Sequence, residues 1–398
     1  MCSLLLFGTS AFAEETPAFY DCRQEGKTPA VRSQGSNRTC WALSCVEALE
    51  GTLMPLTDIS LSADHLVENN SFHITPEEGG DSKMIMAYLS GWQGPVLQDT
   101  SDADAAVHVQ EMRILDGEDR AAFKDAITAF GPVQTSLYMN KAVTEGDEGY
   151  YNEETASYYC PDENKVDHDV IILGWDDTYS ADNFILKPAS DGAWICQNSW
   201  GEDFGDDGIF YVSYEDANIA AKGIVYSGIE NRDNYDHIYQ YDDCGWQGQQ
   251  GYQSESCYFA NCYVAQREEY ISAAGFYSTG KNTTYQLYLV HNFEDETSFD
   301  ERILLQEGEL ETAGYFTVPL MEKQKVEEGE AFALVVHITT PGADNPVAVE
   351  LNKDRFTADV TTAGKEGYLS KTGVAWENTE TKFQTNVCLK VYTEDESE

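Results

Sequence analysis

Beyond residue 265 the chain is written almost wholly in short runs of β-branched and aromatic residues: YISAAGFYST, TTYQLYLV, GYFTVPL, AFALVVHITT, PVAVELN and NVCLKVYTE. Turn residues separate the runs at fairly regular intervals, and no amphipathic helix of any length interrupts them. Such a stretch buries its apolar side chains only by stacking strands face to face, which predicts a β-sandwich. The polar, tyrosine-rich segment ENRDNYDHIYQYDD stands ahead of it and reads as a linker, which puts the sandwich at residues 231–398.

The preceding part has a different texture. From Thr39 to Leu53, apolar residues at Ala42, Cys45, Val46, Leu49 and Leu53 share one face of a helix, with Glu47 and Glu50 on the opposite face. Met84–Leu89 and Arg120–Phe130 also read as helices, the second ended by Gly131-Pro132. From Val133 the runs VQTSLYM, DVIILGW, AWICQNSW and GIFYVSY are strand-like. Residues 14–230 are therefore expected to form one α+β domain, helical first and β-rich later. The opening MCSLLLFGTSAFA carries no charge and ends in Ala-Phe-Ala, the pattern of a truncated secretory signal (1–13) cleaved before Glu14.

Composition narrows the function. The 70 Asp and Glu residues against 24 Lys and Arg give a net charge of −46. That field repels nucleic-acid phosphate and anionic lipid and excludes both as general partners. With 24 tyrosines and 17 phenylalanines the chain can still build cores. No apolar run approaches the roughly 20 residues of a transmembrane helix. Ten cysteines fall short of a disulfide scaffold, and losing Cys2 with the signal leaves an odd number, which directs attention to a reactive thiol.

Four local motifs share one chemistry. Cys40 opens the amphipathic helix beside Trp41, where the helix N-terminal field favours a thiolate, the nucleophilic form. Gln34, six residues upstream, can offer its amide beside the Cys40 N–H as a second oxyanion donor. Asp167-His168 leads into the strand DVIILGW and supplies a base. Asn198-Ser199-Trp200-Gly201 brings an amide to orient the imidazole and an indole to shield that bond from water. Nucleophile, base, orienting group and oxyanion donor are thus all present.

This set resembles the papain family of cysteine peptidases, in which the histidine and asparagine follow the cysteine by about 130–150 residues. Tyr20-Asp21 ahead of Arg23, Gly79-Gly80, and Gly205-Asp206-Asp207-Gly208 before IFYVSY also resemble family stretches. The resemblance implies a two-lobed α+β peptidase, with Gly79 and Gly80 hydrogen-bonding the substrate backbone. It implies that Arg38, Asp167 and Trp200 lie at the substrate site. More narrowly, SGWQGPV, DHDVIILGWDDTYSADNF and DGAWICQNSWG are similar to bacterial secreted members that carry a C-terminal lectin-like domain.

Two stretches depart from that pattern. Asn37-Arg38-Thr39 replaces the small residues usual before the nucleophile, so Arg38 should narrow the first subsite, and Asp169 follows His168 in place of a small apolar residue. Cys45 and the remaining histidines read as packing residues, and Asp176, Asp177 and Asp182 as a solvated turn rather than a calcium site. No metal or cofactor is implied. A disulfide among Cys244, Cys257 and Cys262 is expected. Trp246, Tyr252 and Tyr258 read as core aromatics rather than sugar platforms. The expected function is a secreted or cell-surface cysteine peptidase acting on peptide or protein. Its sandwich would be available to a cell-surface glycan or protein. A papain-like binding protein with little or no activity is the alternative.

Overall fold

In a computed structural model, residues 16–100, 104–117, 119–139 and 149–396 are described. The signal-like residues 1–13 lie outside them. Helix α1, Cys40–Leu53, is the axis of the first half, and every residue from Trp41 to Gly51 is buried. Its Glu47 and Glu50, expected on a solvent face, are each 1% exposed. The helix is enclosed on all sides, and the carboxylates are tolerated because they have partners: Glu50 pairs with Arg32 at 2.5 Å and accepts the Leu61 N–H at 2.7 Å. Three further helices follow: α2 (Ala63–Glu68), α3 (Ser82–Ser90) and α4 (Arg120–Phe130). Aspartates at the N-caps of α3 and α4 and a serine at that of α2 accept backbone N–H groups of the first turn, which fixes where each helix begins.

The strands that carry the site are central members of a 13-stranded sheet. His168–Asp176 lies between Val133–Leu137 and Ala193–Gln197, with Ile209–Ser213 beyond. The sequence read the next segment as a linker near residue 230, but strand Lys222–Asn231 continues into it and His237–Tyr239 follows. The same sheet runs on without a break. Strand Val107–Asp116 pairs on one side with Lys222–Asn231 and on the other with Ala313–Val326 of the second half. Gly314 makes that seam possible: at φ +142° it crosses so near the neighbouring strand that a Cβ would stand 2.0 Å from the Met112 carbonyl oxygen.

The second half is strand-built, as its texture predicts. A six-stranded sheet packs over the end of the long sheet around Phe259, Phe276, Leu287, Val336, Leu369 and Val391. All nine described cysteines are free, including Cys244, Cys257 and Cys262, so the expected disulfide is absent there. Cys257 and Cys244 instead donate to the carbonyls of Ser370 and Ser71. No helix among the described residues is long and apolar enough to cross a membrane.

Aromatic contacts hold the halves together. Tyr277, Tyr315 and Tyr392 are buried at the seam; Tyr315 and Tyr392 share a 2.5 Å hydroxyl contact, and Tyr277 and Tyr392 reach Ser90 at the end of α3. A chain ended after Asp236 would strip this cover from α3 and leave Val107–Asp116 as an open edge strand. It is expected to be insoluble or to lose cooperative thermal unfolding. A soluble fragment with native near-ultraviolet circular dichroism would show that the first half folds alone.

Candidate active site

Two backbone turns bring the site residues into one place. The loop before α1 is stapled to the turn after Ala193–Gln197 by Gln34 N–H to the Ser199 carbonyl at 2.8 Å and Gly201 N–H to the Arg32 carbonyl at 3.1 Å. The Ser199 hydroxyl adds a bond to Gln34 Oε1 at 2.7 Å. Gln34 and Asn198 are therefore fixed relative to one another. Gln34 Nε2 donates one hydrogen to the Asn37 carbonyl at 2.6 Å, which leaves its second hydrogen for another acceptor.

His168 begins its strand and is 2% exposed. Its Nε2 meets Asn198 Oδ1 at 2.7 Å, and that same oxygen accepts the Ser199 N–H at 2.8 Å. The backbone donor fixes which end of the amide faces the ring, so Nε2 carries the proton and Nδ1 is the free base nitrogen. Nδ1 is buried and has no hydrogen-bond partner. Trp200 covers the ring with centroids 4.8 Å apart, and Phe204 holds Trp200 edge-on.

Cys40 is half-buried at the first position of α1. The backbone N–H groups of Asp169, Trp41 and Cys40 itself favour its thiolate, which places the sulfur against the residue that follows His168. Burial opposes them and pushes the thiol up to about 12, with the Asp169 carboxylate adding to the rise. Burial likewise lowers His168 to about 4 against the pull of Asn198 and Asp167. The sequence expectation of a ready thiolate, resting on the helix field and on His168, took no account of burial. Enclosure outweighs that field, worth only about 0.3–1 kcal/mol at exposed sites. Each group taken singly is neutral at pH 7. A thiolate–imidazolium pair regains mutual attraction of roughly 4 kcal/mol at 4 Å for an effective dielectric of 20.

The remaining expected residues neighbour these groups. Gly80 lies on Trp41 so closely that a Cβ would stand 2.4 Å from the indole ring, and Gly79, at φ +77°, stands 3.5 Å by the same measure from the Arg38 carbonyl. Arg38 is exposed and forms no ion pair among the described residues. Asp167 is half-buried and accepts the Met139 N–H at 3.0 Å, so its carboxylate braces the strand start. Among the turn carboxylates, Asp177 pairs with Lys124 and Asp182 with Lys187, and no three-residue metal cluster occurs among the described residues.

Sequence reasoning missed the polar layer behind the first turn of α1. Asp169 accepts the Ser136 hydroxyl at 2.6 Å and Gln134 Nε2 at 3.0 Å. The Gln134 amide also donates to the Trp41 carbonyl at 3.1 Å and accepts the Tyr226 hydroxyl at 2.7 Å. The signal was present: VQTSLYM places Gln134 and Ser136 two apart, hence on one face of a strand that otherwise reads as apolar.

The fold is that of the papain-like cysteine proteases, joined to a lectin-like domain. The papain-family cysteine protease model matches residues 16–235, more than half of the chain, and a lectin-like domain model matches 238–393. The chain belongs to the papain family of cysteine proteases. It is similar to cysteine proteinase 15A of Pisum sativum, 27% identical over 221 residues, and to cathepsin K of Mus musculus, 26% identical over 217 residues. These matches take in 49% and 50% of this chain and 57% and 60% of the two relatives, so only part of each relative's length is represented here. The structure of the cysteine protease and lectin-like domains of Cwp84, a surface layer associated protein of Clostridium difficile, superposes with a TM-score of 0.80 at 23% identity. It covers 95% of this chain and 89% of that one. Clostridial Cwp84 after propeptide cleavage gives 0.83 at 24% identity over 95% and 99%. The likeness in fold therefore includes both halves.

Beneath the site, Gln197 donates to Glu47 Oε2 at 3.2 Å while Glu47 Oε1 has no partner. Burial pushes the Glu47 carboxyl up to about 8 against the pull of Arg32. The folded state thus holds a proton that the unfolded chain releases near pH 4.5. The stability this group contributes is present below that pH and lost as pH rises towards about 8. Glu47→Gln should flatten this decline, so its melting temperature should exceed that of the native protein at pH 8 but not at pH 4.5. Equal differences at both pH values would assign Glu47 an ionised state in the fold.

Proposed function

We propose that the chain is a cysteine peptidase using Cys40, His168, Asn198 and Gln34. The observation that carries this reading is His168 itself. It is a buried imidazole fixed through Nε2 to Asn198 and covered by Trp200, and its only free nitrogen is a base. A core histidine that merely packs would have both nitrogens satisfied or one in water.

In this mechanism Nδ1 takes the Cys40 proton as the sulfur attacks the peptide carbonyl. The C–S bond forms, and the carbonyl oxygen takes the negative charge between the Cys40 N–H and the free Gln34 amide hydrogen. The imidazolium, steadied by Asn198, then protonates the leaving amine. Water, deprotonated by the same Nδ1, splits the thioester and restores the thiol. Gly79 and Gly80 align the substrate backbone beside Trp41, and Arg38 and Asp167 border the entrance.

The residue 14–230 peptidase and 231–398 sandwich act as one secreted or cell-surface unit in this reading. It is supported by the uncharged apolar opening that ends in Ala-Phe-Ala and by the likeness in fold to a surface layer associated protease. The sandwich would meet a surface glycan or protein while the first half cleaves peptide or protein.

Cys40→Ala should abolish hydrolysis and labelling by a thiol-directed epoxide. Asn198→Ala should remain labelled and turn over slowly, since nucleophile and base persist without orientation. Gln34→Ala should lose about 10²–10³ in kcat, the size of one oxyanion donor. An unlabelled, inactive native protein would make the chain a papain-like binding protein instead.

A further inference from the structure

In a chain of net charge −46, cations without a carboxylate partner stand out. Lys83 and Lys222 form no ion pair among the described residues, yet both line one cavity of about 370 Å³. The cavity lies where the halves meet. Met86, Ile114 and Ile224 supply apolar wall from the first half, and Trp246 of the second half closes it, with the Lys83 ammonium 5.5 Å from the indole centroid. Lys222 and Lys353 act on Lys83 as like charges, and burial together with them lowers its pKa. Asp81 and Cys388 oppose them, and the Asp81 carboxylate also caps α3 through the N–H groups of Lys83 and Met84. Lys83 and Lys222 thus share one cavity with no carboxylate in ion-pair contact with either among the described residues.

Both walls of the cavity lead to the nucleophile. Ser82 lines it, two residues beyond Gly80, which rests on Trp41. Two peptide units span at most about 7.6 Å between Cα atoms. On the other wall Ile224 is paired in the sheet with Gln134, whose amide bonds the Trp41 carbonyl and Asp169. A peptide aligned along Gly79-Gly80 rises about 3.3 Å per residue, so a side chain one or two positions from the scissile bond reaches this cavity.

We infer that this cavity is a specificity subsite for a glutamate of the peptide substrate, built jointly by the peptidase half and Trp246 of the lectin-like half. The glutamate stem packs on Met86, Ile114, Ile224 and the indole, and its carboxylate sits between Lys83 and Lys222. The overall negative field opposes acidic substrates at long range, but it is screened within about 8 Å at physiological salt. Inside that distance the two ammonium groups decide.

This inference rests on the peptidase reading, so two measurements keep the two apart. Peptides that carry glutamate or glutamine at each position in turn are first titrated calorimetrically into Cys40→Ala protein. One position should bind glutamate about tenfold more tightly than glutamine, as two partly exposed ion pairs allow. In Cys40→Ala, Lys83→Gln, Lys222→Gln protein the two peptides should bind alike. The same ratio is then read in kcat/KM. The native enzyme should prefer glutamate about tenfold, whereas Lys83→Gln, Lys222→Gln enzyme should lose the preference. Trp246→Ala should weaken both peptides while keeping their ratio. Absence of hydrolysis with the binding preference intact would refute the peptidase reading and leave the cavity standing. Equal binding of both peptides to Cys40→Ala protein, or a preference that survives loss of both lysines, would overturn the subsite.

Discussion

The ion pair between Arg32 and Glu50, 2.5 Å long and largely buried, is the tie on which the site depends. Glu50 lies near the end of α1, while Arg32 begins the loop that delivers Gln34 and then Cys40 to the start of the same helix. Arg32 also donates to the Leu61 carbonyl, and its own carbonyl accepts the Gly201 N–H from the Asn198 turn. One residue, through its side chain and its carbonyl, thus ties three segments together: helix α1, the loop ahead of it and the turn that orients His168. Breaking a buried pair by removing one partner costs about 3–5 kcal/mol, because the other charge is left uncompensated. At this place the loss would reach catalysis through position as well as stability.

Much of this was legible. Helix α4 has the bounds its sequence indicates, and the apolar runs beyond residue 265 became strands because period-two patterning and turn residues agree there. Several strands escaped notice, Lys222–Asn231 and Ile303–Leu310 among them, and two show the physical reasons. Val107–Asp116 carries His108, Gln110, Glu111 and Arg113, polar groups that a strand between two others satisfies through its neighbours: His108 stacks on Trp92 and Gln110 accepts the Thr317 hydroxyl. Ser256–Val264 has Asn261 at its centre, a residue that reads as a turn former. In the fold its amide reaches the Val387 and Leu389 carbonyls and ties one sheet to another. Local pattern cannot show a partner more than a hundred residues away.

The site divides in the same way. Cys40, His168, Asn198 and Gln34 stood out because each has a local setting, a helix start, a strand start or a turn, that accounts for its chemistry. Gln134, Ser136 and Tyr226 did not, since their role exists only after three strands and the first turn of α1 are assembled. Helix faces misled for a related reason. Glu47 and Glu50 look like a solvated stripe on an amphipathic helix, but a helix at the centre of a domain has no solvent side. Amphipathic spacing reports which face is most apolar and is silent about whether the other is wet.

Charge placement shows what the acidic surface leaves unsaid. A net charge of −46 makes pairing the default for any cation, and buried ones conform: Lys390, 1% exposed, lies 2.9 Å from the equally buried Asp242 and donates to Gln240 Oε1. That pair stands behind the junction, where Gln240 also reaches the Gly91 carbonyl at the end of α3. A buried pair of this kind adds little net stability, because desolvation offsets attraction, but it penalises any docking of the halves that would separate its members. The junction is therefore fixed by interactions that tolerate one register, namely the Gly314 crossing, the tyrosine cluster and the Lys390–Asp242 pair. A cavity whose walls come from both halves keeps its shape only if that register is held. Rigidity at the seam is what allows Trp246, distant in sequence from Cys40, to face the same bound chain.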